Sequence, residues 1–137
     1  MIDENKVIDG VCRLLAQEGY QNIKRLTTMQ QGIDIEAEHP QRGRICIEAK
    51  GGTSTKPDSK RYGQPFNSNQ VYDVVAKGAY AVFRLHSKIA SNNYQTALAL
   101  PDYPIFREHS KAIAAPFQAL GLRLILVAED GSAQYFL

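Results

Sequence analysis

Two stretches of this chain change polarity at every residue, and they constrain its fold more than any other feature. Residues 33–38 read Ile-Asp-Ile-Glu-Ala-Glu and residues 44–50 read Arg-Ile-Cys-Ile-Glu-Ala-Lys, separated by His39-Pro40-Gln41-Arg42-Gly43. Strict alternation marks strands buried on one face only, and the Pro/Gly-bearing connection marks a turn. Centring that turn on Gln41 sets Asp34 opposite Glu48, Glu36 opposite Cys46 and Glu38 opposite Arg44. Ile33, Ile35 and Ala37 then meet Ala49, Ile47 and Ile45 on the other face, which is wholly apolar and must pack on a helix. A slip of one residue would bury the carboxylates, so the hydrophobic pattern itself selects this register.

Around this hairpin the periodicities predict an α/β chain. Val7, Ile8, Val11, Leu14 and Leu15 recur at spacings of three and four, giving a helix over 4–17 with Gly19 as its stop. Residues 20–28 read as a first strand. A second helix starts near Asn69 and turns Val71, Val74, Val75, Ala79, Val82 and Phe83 inward despite Gly78, and Tyr72, Tyr80 and Phe106 also fall at core-like helical spacings. A short strand covers 96–100, and Asp102 is the expected N-cap of a third helix that Pro116 should break or kink. The apolar run 122–128 reads as a strand covered on both faces, and Glu129-Asp130-Gly131 turns it into a last strand over 133–137. The order α-β-β-β-α-β-α-β-β predicts a mixed β-sheet flanked by helices.

The polar hairpin face gathers Asp34, Glu36, Glu38, Glu48 and Lys50. Side chains opposed across a strand pair stand about 4.5–5.5 Å apart at Cβ, where two carboxylates repel unless a cation sits between them. Mg²⁺ takes oxygen ligands, commonly one or two carboxylates with phosphate oxygens and water. Lys50, two residues beyond Glu48, shares its face and is placed to reach a phosphate or an attacking water. That is equipment for metal-assisted phosphodiester hydrolysis. A merely solvated strand face would carry similar residues. Two details favour a site: the strand runs through Gly51-Gly52 into a polar, basic loop, and the hairpin follows a helix with acidic residues in its first turn.

Gly32-Ile33-Asp34 followed by Ile45-Cys46-Ile47-Glu48-Ala49-Lys50 resembles the core of the PD-(D/E)XK nuclease superfamily, the restriction-endonuclease-like enzymes that include Holliday-junction resolvases and Mrr-type endonucleases. Ile33 stands where the naming proline falls, as in Gly-x-Asp variants. The resemblance spans roughly residues 3–100. It implies that Asp34 and Glu48 bind the metal, usually Mg²⁺ with Mn²⁺ as a substitute, and that Lys50 is the catalytic lysine. It further implies an acidic residue from the first helix, for which Glu4 is the first candidate and Asp3 the second, and a polar residue from the helix after the lysine strand, where Gln70 fits. The Ala49 carbonyl, between two site side chains, is a further metal-ligand candidate.

The remaining features narrow the partners. With 137 residues, 44% of them hydrophobic and 22% charged, the chain is expected to form a single domain over 1–137 that buries about 65–70% of its unfolded surface. A formal charge of +2 excludes a polybasic binder but allows local charge for nucleic acid. Lys56, Lys60 and Arg61 against the single Asp58 suit a DNA phosphate backbone, with Gln70 beside them. Gln70 and Lys77 lie seven apart on one helix face. Two cysteines form neither a zinc ribbon nor a disulfide scaffold, and Cys46 reads as a bystander because Mg²⁺ avoids thiolate. His39 is expected simply exposed in the turn, and His86 and His109 on helix surfaces. Asp3 and Glu4 follow Met1 without a leader pattern and no apolar run reaches 18 residues, so a cytoplasmic protein with no membrane contact is expected. One site per chain would make paired cleavage the work of a homodimer. The alternatives are a catalytically weak nucleic-acid-binding or assembly subunit that keeps the nuclease fold, and a structural α/β domain with a decorated hairpin.

Overall fold

The computed structural model describes residues 1–26, 32–54, 58, 60, 62–89 and 93–137. Its elements are α1 (Glu4–Gln17), β1 (Gln21–Arg25), β2 (Ile35–His39), β3 (Gly43–Ala49), α2 (Ser68–Lys88), β4 (Tyr94–Pro101), α3 (Pro104–Ala119), β5 (Arg123–Val127) and β6 (Ala133–Tyr135). The six strands form one mixed sheet in sequential order. β1, β2 and β3 run antiparallel, β3–β4 and β4–β5 run parallel, and β6 returns antiparallel.

The hairpin adopts the register that its alternation selects. Ile35 pairs with Ile47, Glu36 with Cys46, Ala37 with Ile45, and Glu38 with Arg44. Its apolar face packs on α1: Ile35, Ala37, Ile45, Ile47 and Ala49 share one buried cluster with Val7, Ile8, Val11 and Leu15. β4 and β5 are covered on both faces. Ala97, Ala99, Ile125 and Val127 face α1, whereas Leu98, Leu100, Leu124 and Leu126 face α2 and α3. The molecule is therefore three layers, helix on sheet on helices. None of its described helices is long and apolar enough to cross a membrane.

The expected start of α2 near Asn69 is met at Ser68, and several other local expectations are corrected. α2 starts at Ser68 behind an Asn67 capping box: the Asn67 side chain accepts from Gln70 N, and Gln70 Oε1 accepts from Asn67 N, each at 2.9 Å. Asp102 does not cap α3. The helix begins at Pro104 behind Tyr103, and Asp102 instead holds Arg107 through two bonds of 2.5 and 2.9 Å. α3 runs past Pro116 to Ala119: the ring removes one N–H from the ladder, and the turn after it still closes through Leu120 N to Pro116 O at 3.2 Å. Tyr72 and Tyr80 point outward, 62% and 63% exposed, since α2 buries the stripe Val71, Val75, Gly78, Ala79 and Val82; Phe106 alone of the three is core. His39 ties the turn together: Nδ1 accepts from Gln41 N and Arg42 N, so Nε2 carries the proton that it donates to Glu18 O at 3.0 Å. Part of the expected first strand, residues 27 and 28, lies outside the described residues.

Candidate active site

The site forms where β3 ends and α1 begins. Asp34 immediately precedes β2, with its carbonyl accepting from Leu26 N at 2.9 Å and its Oδ2 accepting from Ala49 N at 2.8 Å. The second bond holds the carboxylate against the end of β3 and leaves Oδ1 for other partners. Glu48 points from β3 to the face opposite Ala49, paired across to Leu98 of β4. Lys50 follows, its amide donating to Ala99 O at 3.0 Å, and its Nζ lies 3.8 Å from Glu48 Oε1. That separation exceeds an ordinary hydrogen bond, so the ammonium is held near the carboxylate without being locked to it.

Glycines let the helices come this close. A Cβ on Gly51 would strike the backbone of α1's first residues, at 2.7 Å from Asp3 C and nearer still to Glu4 N. Gly52 N donates to Ile2 O at 2.8 Å, fastening the same approach. The N-terminus of α1 thus abuts the end of β3 and brings Glu4 to the cluster. On the other side α2 crosses on Gly78, where a Cβ would lie 3.2 Å from Lys50 Cγ and 2.8 Å from Leu98 Cδ1. An interior helix glycine costs about 1 kcal/mol against alanine; here it makes room for the lysine stem. Gly51 and Gly78 are the positions that the sequence reading did not assign to the site, although both stood out: one as half of a Gly pair at the strand end, one as a flaw in a helix pattern.

Four side chains shift one another's titration. Glu48 is pushed from 4.5 up to about 7, first by burial and then by Asp34, with Glu4 adding to the repulsion and Lys50 opposing it. Glu4 is raised by burial, then by Asp34, and is held down by Lys50. Asp34 is raised by burial, against which the Ala49 N–H and Lys50 favour its charged form. Three carboxyl groups and one ammonium therefore share one field, and each carboxyl is raised above its ordinary value. Charge repulsion of this kind is what a divalent cation relieves.

Other assigned residues fall elsewhere. Asp3, the second candidate from the first helix, caps α1 by accepting from Lys6 N at 2.9 Å. Gln70 is half-buried and its side-chain oxygen serves the capping box, while Lys77 is exposed. Lys60 is exposed; Lys56 and Arg61 lie outside the described residues. Cys46 is buried on the site's face with its thiol pushed up to about 11, chiefly by burial and then by Glu36. It stays protonated, and no use as a ligand follows.

The donor set suits a hard cation. Asp34 and Glu48 offer carboxylate oxygens, and among the described residues no group of three or more His, Cys, Asp or Glu side chains is placed to hold a metal ion. Carboxylate oxygens without thiolate or imidazole are donors of the type that Mg²⁺ takes rather than Zn²⁺.

No protein-family model matches the chain, and no curated protein matches it. Solved structures do. A XisH family protein from Nostoc punctiforme PCC 73102 superposes with a TM-score of 0.54 over 95% of this chain and 98% of that one, at 14% identity. An fdxN element excision controlling factor protein from Anabaena variabilis superposes with a TM-score of 0.55 over 97% and 99% of the two chains, also at 14% identity. At that identity the likeness is one of fold, shared from end to end.

Proposed function

We propose that this chain is a metal-dependent nuclease of the PD-(D/E)XK kind that hydrolyses phosphodiester bonds in DNA. The observation that carries this reading is the carboxyl pair itself: Asp34 and Glu48 lie close enough for Asp34 to raise the pKa of Glu48, with Lys50 3.8 Å from Glu48 and Glu4 in the same field. A structural domain gains nothing from such mutual repulsion.

In this reading Asp34 and Glu48 hold Mg²⁺, with the Ala49 carbonyl between them in sequence. When bound, the ion polarises the phosphoryl group and acidifies water. Asp34 is oriented for this by the Ala49 N–H, which leaves one carboxylate oxygen available. Lys50 places its positive charge where negative charge develops on the phosphoryl oxygens, and Glu4 supplies the acidic group of the first helix. Lys56, Lys60 and Arg61 follow the phosphate backbone, and Gln70 lies at the start of the helix that flanks it. No covalent enzyme intermediate is needed, since water is the nucleophile.

The test is nicking of supercoiled plasmid and cleavage of linear, branched and single-stranded DNA in Mg²⁺ or Mn²⁺. Cleavage lost on chelation and in Asp34→Asn is expected, with the fold retained because Asn Oδ1 can still accept from Ala49 N. DNA binding without cleavage in either metal would replace this reading with that of a binding or assembly subunit.

A further inference from the structure

The face of the sheet that bears Glu48 continues past the proposed active site. On β3 side chains alternate, so Arg44, Cys46 and Glu48 share that face in steps of about 6.7 Å. Two rows of paired residues cross the sheet beside Glu48. One is Lys24–Glu36–Cys46–Thr96, and the next is Glu38–Arg44–Tyr94. α2 and α3 pack on β3, β4 and β5, and among the described residues their buried cluster takes in none from β1 or β2. The uncovered end of this face forms a cavity of about 420 Å³.

Its walls are set in advance. Arg44 Nη1 donates to the Tyr94 hydroxyl at 3.0 Å, its guanidinium lies 5.8 Å from the Tyr94 ring centroid, and Glu38 holds it from the other side at 3.3 Å. Across the mouth, a bulge in β1 puts Asn22 at φ 52, from where Nδ2 donates to Glu38 Oε2 at 3.1 Å. Asparagine tolerates this left-handed conformation, and bulges of this kind re-aim side chains beside sites. The remaining acceptor is Glu36: among the described residues its one hydrogen bond is a long contact of 3.9 Å from the Cys46 thiol.

We propose that this cavity takes one unpaired nucleobase bearing an amino group, from the strand whose phosphate lies at Lys50; that placement rests on the nuclease reading above. Two flat groups, the Arg44 guanidinium and the Tyr94 ring, present surfaces on which a base stacks. The Glu36 carboxylate, an acceptor only, pairs with an amino group and repels a carbonyl oxygen at the same place. The volume lies at the low end of the range of about 300–1,000 Å³ for small-ligand pockets, which suits a single nucleotide. A base inside a duplex keeps its faces stacked on its neighbours and its amino group paired. The substrate therefore has single-stranded character beside the cut, or yields a base by flipping.

Binding of fluorescent dC₆ and dT₆ to the full chain, in EDTA so that nothing is cut, tests this. The wild type should bind dC₆ about ten-fold more tightly than dT₆. Glu36→Gln, which offers a donor as well as an acceptor, should bring the two affinities together. Tyr94→Ala should weaken both by about ten-fold, and Tyr94→Phe, which keeps the ring but releases Arg44 from the hydroxyl, should weaken both by less. Thermal melting of each variant separates loss of binding from loss of fold. Equal wild-type affinities, or a preference that survives in Glu36→Gln, would overturn the proposal. A chain that shows the preference but never cuts keeps the cavity and loses the nuclease reading; one that cuts without preference does the reverse.

Discussion

Replacing Glu48 by glutamine should stabilise the metal-free protein while abolishing its activity. The raised value of about 7 against an ordinary 4.5 means that folding forces a proton onto Glu48, or a repelled charge at higher pH. A carboxyl that binds its proton more tightly in the folded state contributes stability below about pH 4.5 and loses it as pH rises through 7. At 1.36 kcal/mol per pH unit the full displacement corresponds to about 3 kcal/mol, and water at a side chain 19% exposed screens this to about 1–2 kcal/mol. Glutamine is neutral throughout, so at pH 8 in EDTA the variant should melt about 4–8 °C above wild type, at roughly 4 °C per kcal/mol for a chain of this size. At pH 4 the two should coincide. Excess Mg²⁺ at pH 8 should raise the melting temperature of the wild type and leave the variant unmoved, because a ligand bound only to the folded state stabilises it. Urea or thermal denaturation at pH 4, 6 and 8, with and without Mg²⁺, reads all of this. Wild-type stability that climbs between pH 5 and 8 in proportion to the variant's would refute the electrostatic argument, whatever cleavage does.

Lys50→Ala should slow single-turnover cleavage by about 10²–10³, the usual loss for one preorganised positive group at a reacting centre, while DNA binding in Ca²⁺ persists. Lys50→Arg should not rescue it, because a planar guanidinium does not replace a compact ammonium on the stem that passes Gly78; wild-type rates in both variants would remove Lys50 from the reaction. Gly51→Ala should destabilise the protein by about 1–3 kcal/mol and lower cleavage, since its Cβ meets the backbone of Asp3 and Glu4, which cannot swing aside; an unchanged urea midpoint would show that α1 does not depend on that approach. Replacing Lys56, Lys60 and Arg61 together by alanine should flatten the salt dependence of DNA affinity with little change in the rate at saturation, as read by binding titrations across salt concentrations.

The sequence alone determined what depends on one element's own periodicity. Alternation set the hairpin register, because a one-residue slip would turn every carboxylate of residues 33–50 into the core, and so it also put Asp34, Glu48 and Lys50 at one end of one face. The same logic placed the buried stripe of α1 and the doubly covered strands β4 and β5. Periodicity does not say which neighbour an element will meet, and there the reading diverged. Tyr72 and Tyr80 fit a helical core spacing, yet among the described residues no layer lies beyond α2 to cover them. Asp102 has the chemistry of a cap, but Pro104 starts α3 two residues later and Arg107 reaches back for the carboxylate. His39, in an apparently free turn, bonds its own turn through Nδ1 but finds a partner for Nε2 only once Glu18 arrives at the end of α1. The cluster of carboxylates and lysine divides the same way. Its residue types are legible along the chain, but the joining of Glu4 to Asp34, Glu48 and Lys50 depends on Gly51 and Gly78 letting two helices approach the end of β3. An absent Cβ acquires meaning only when the atoms that would collide with it are in place, and those atoms come from residues distant in sequence.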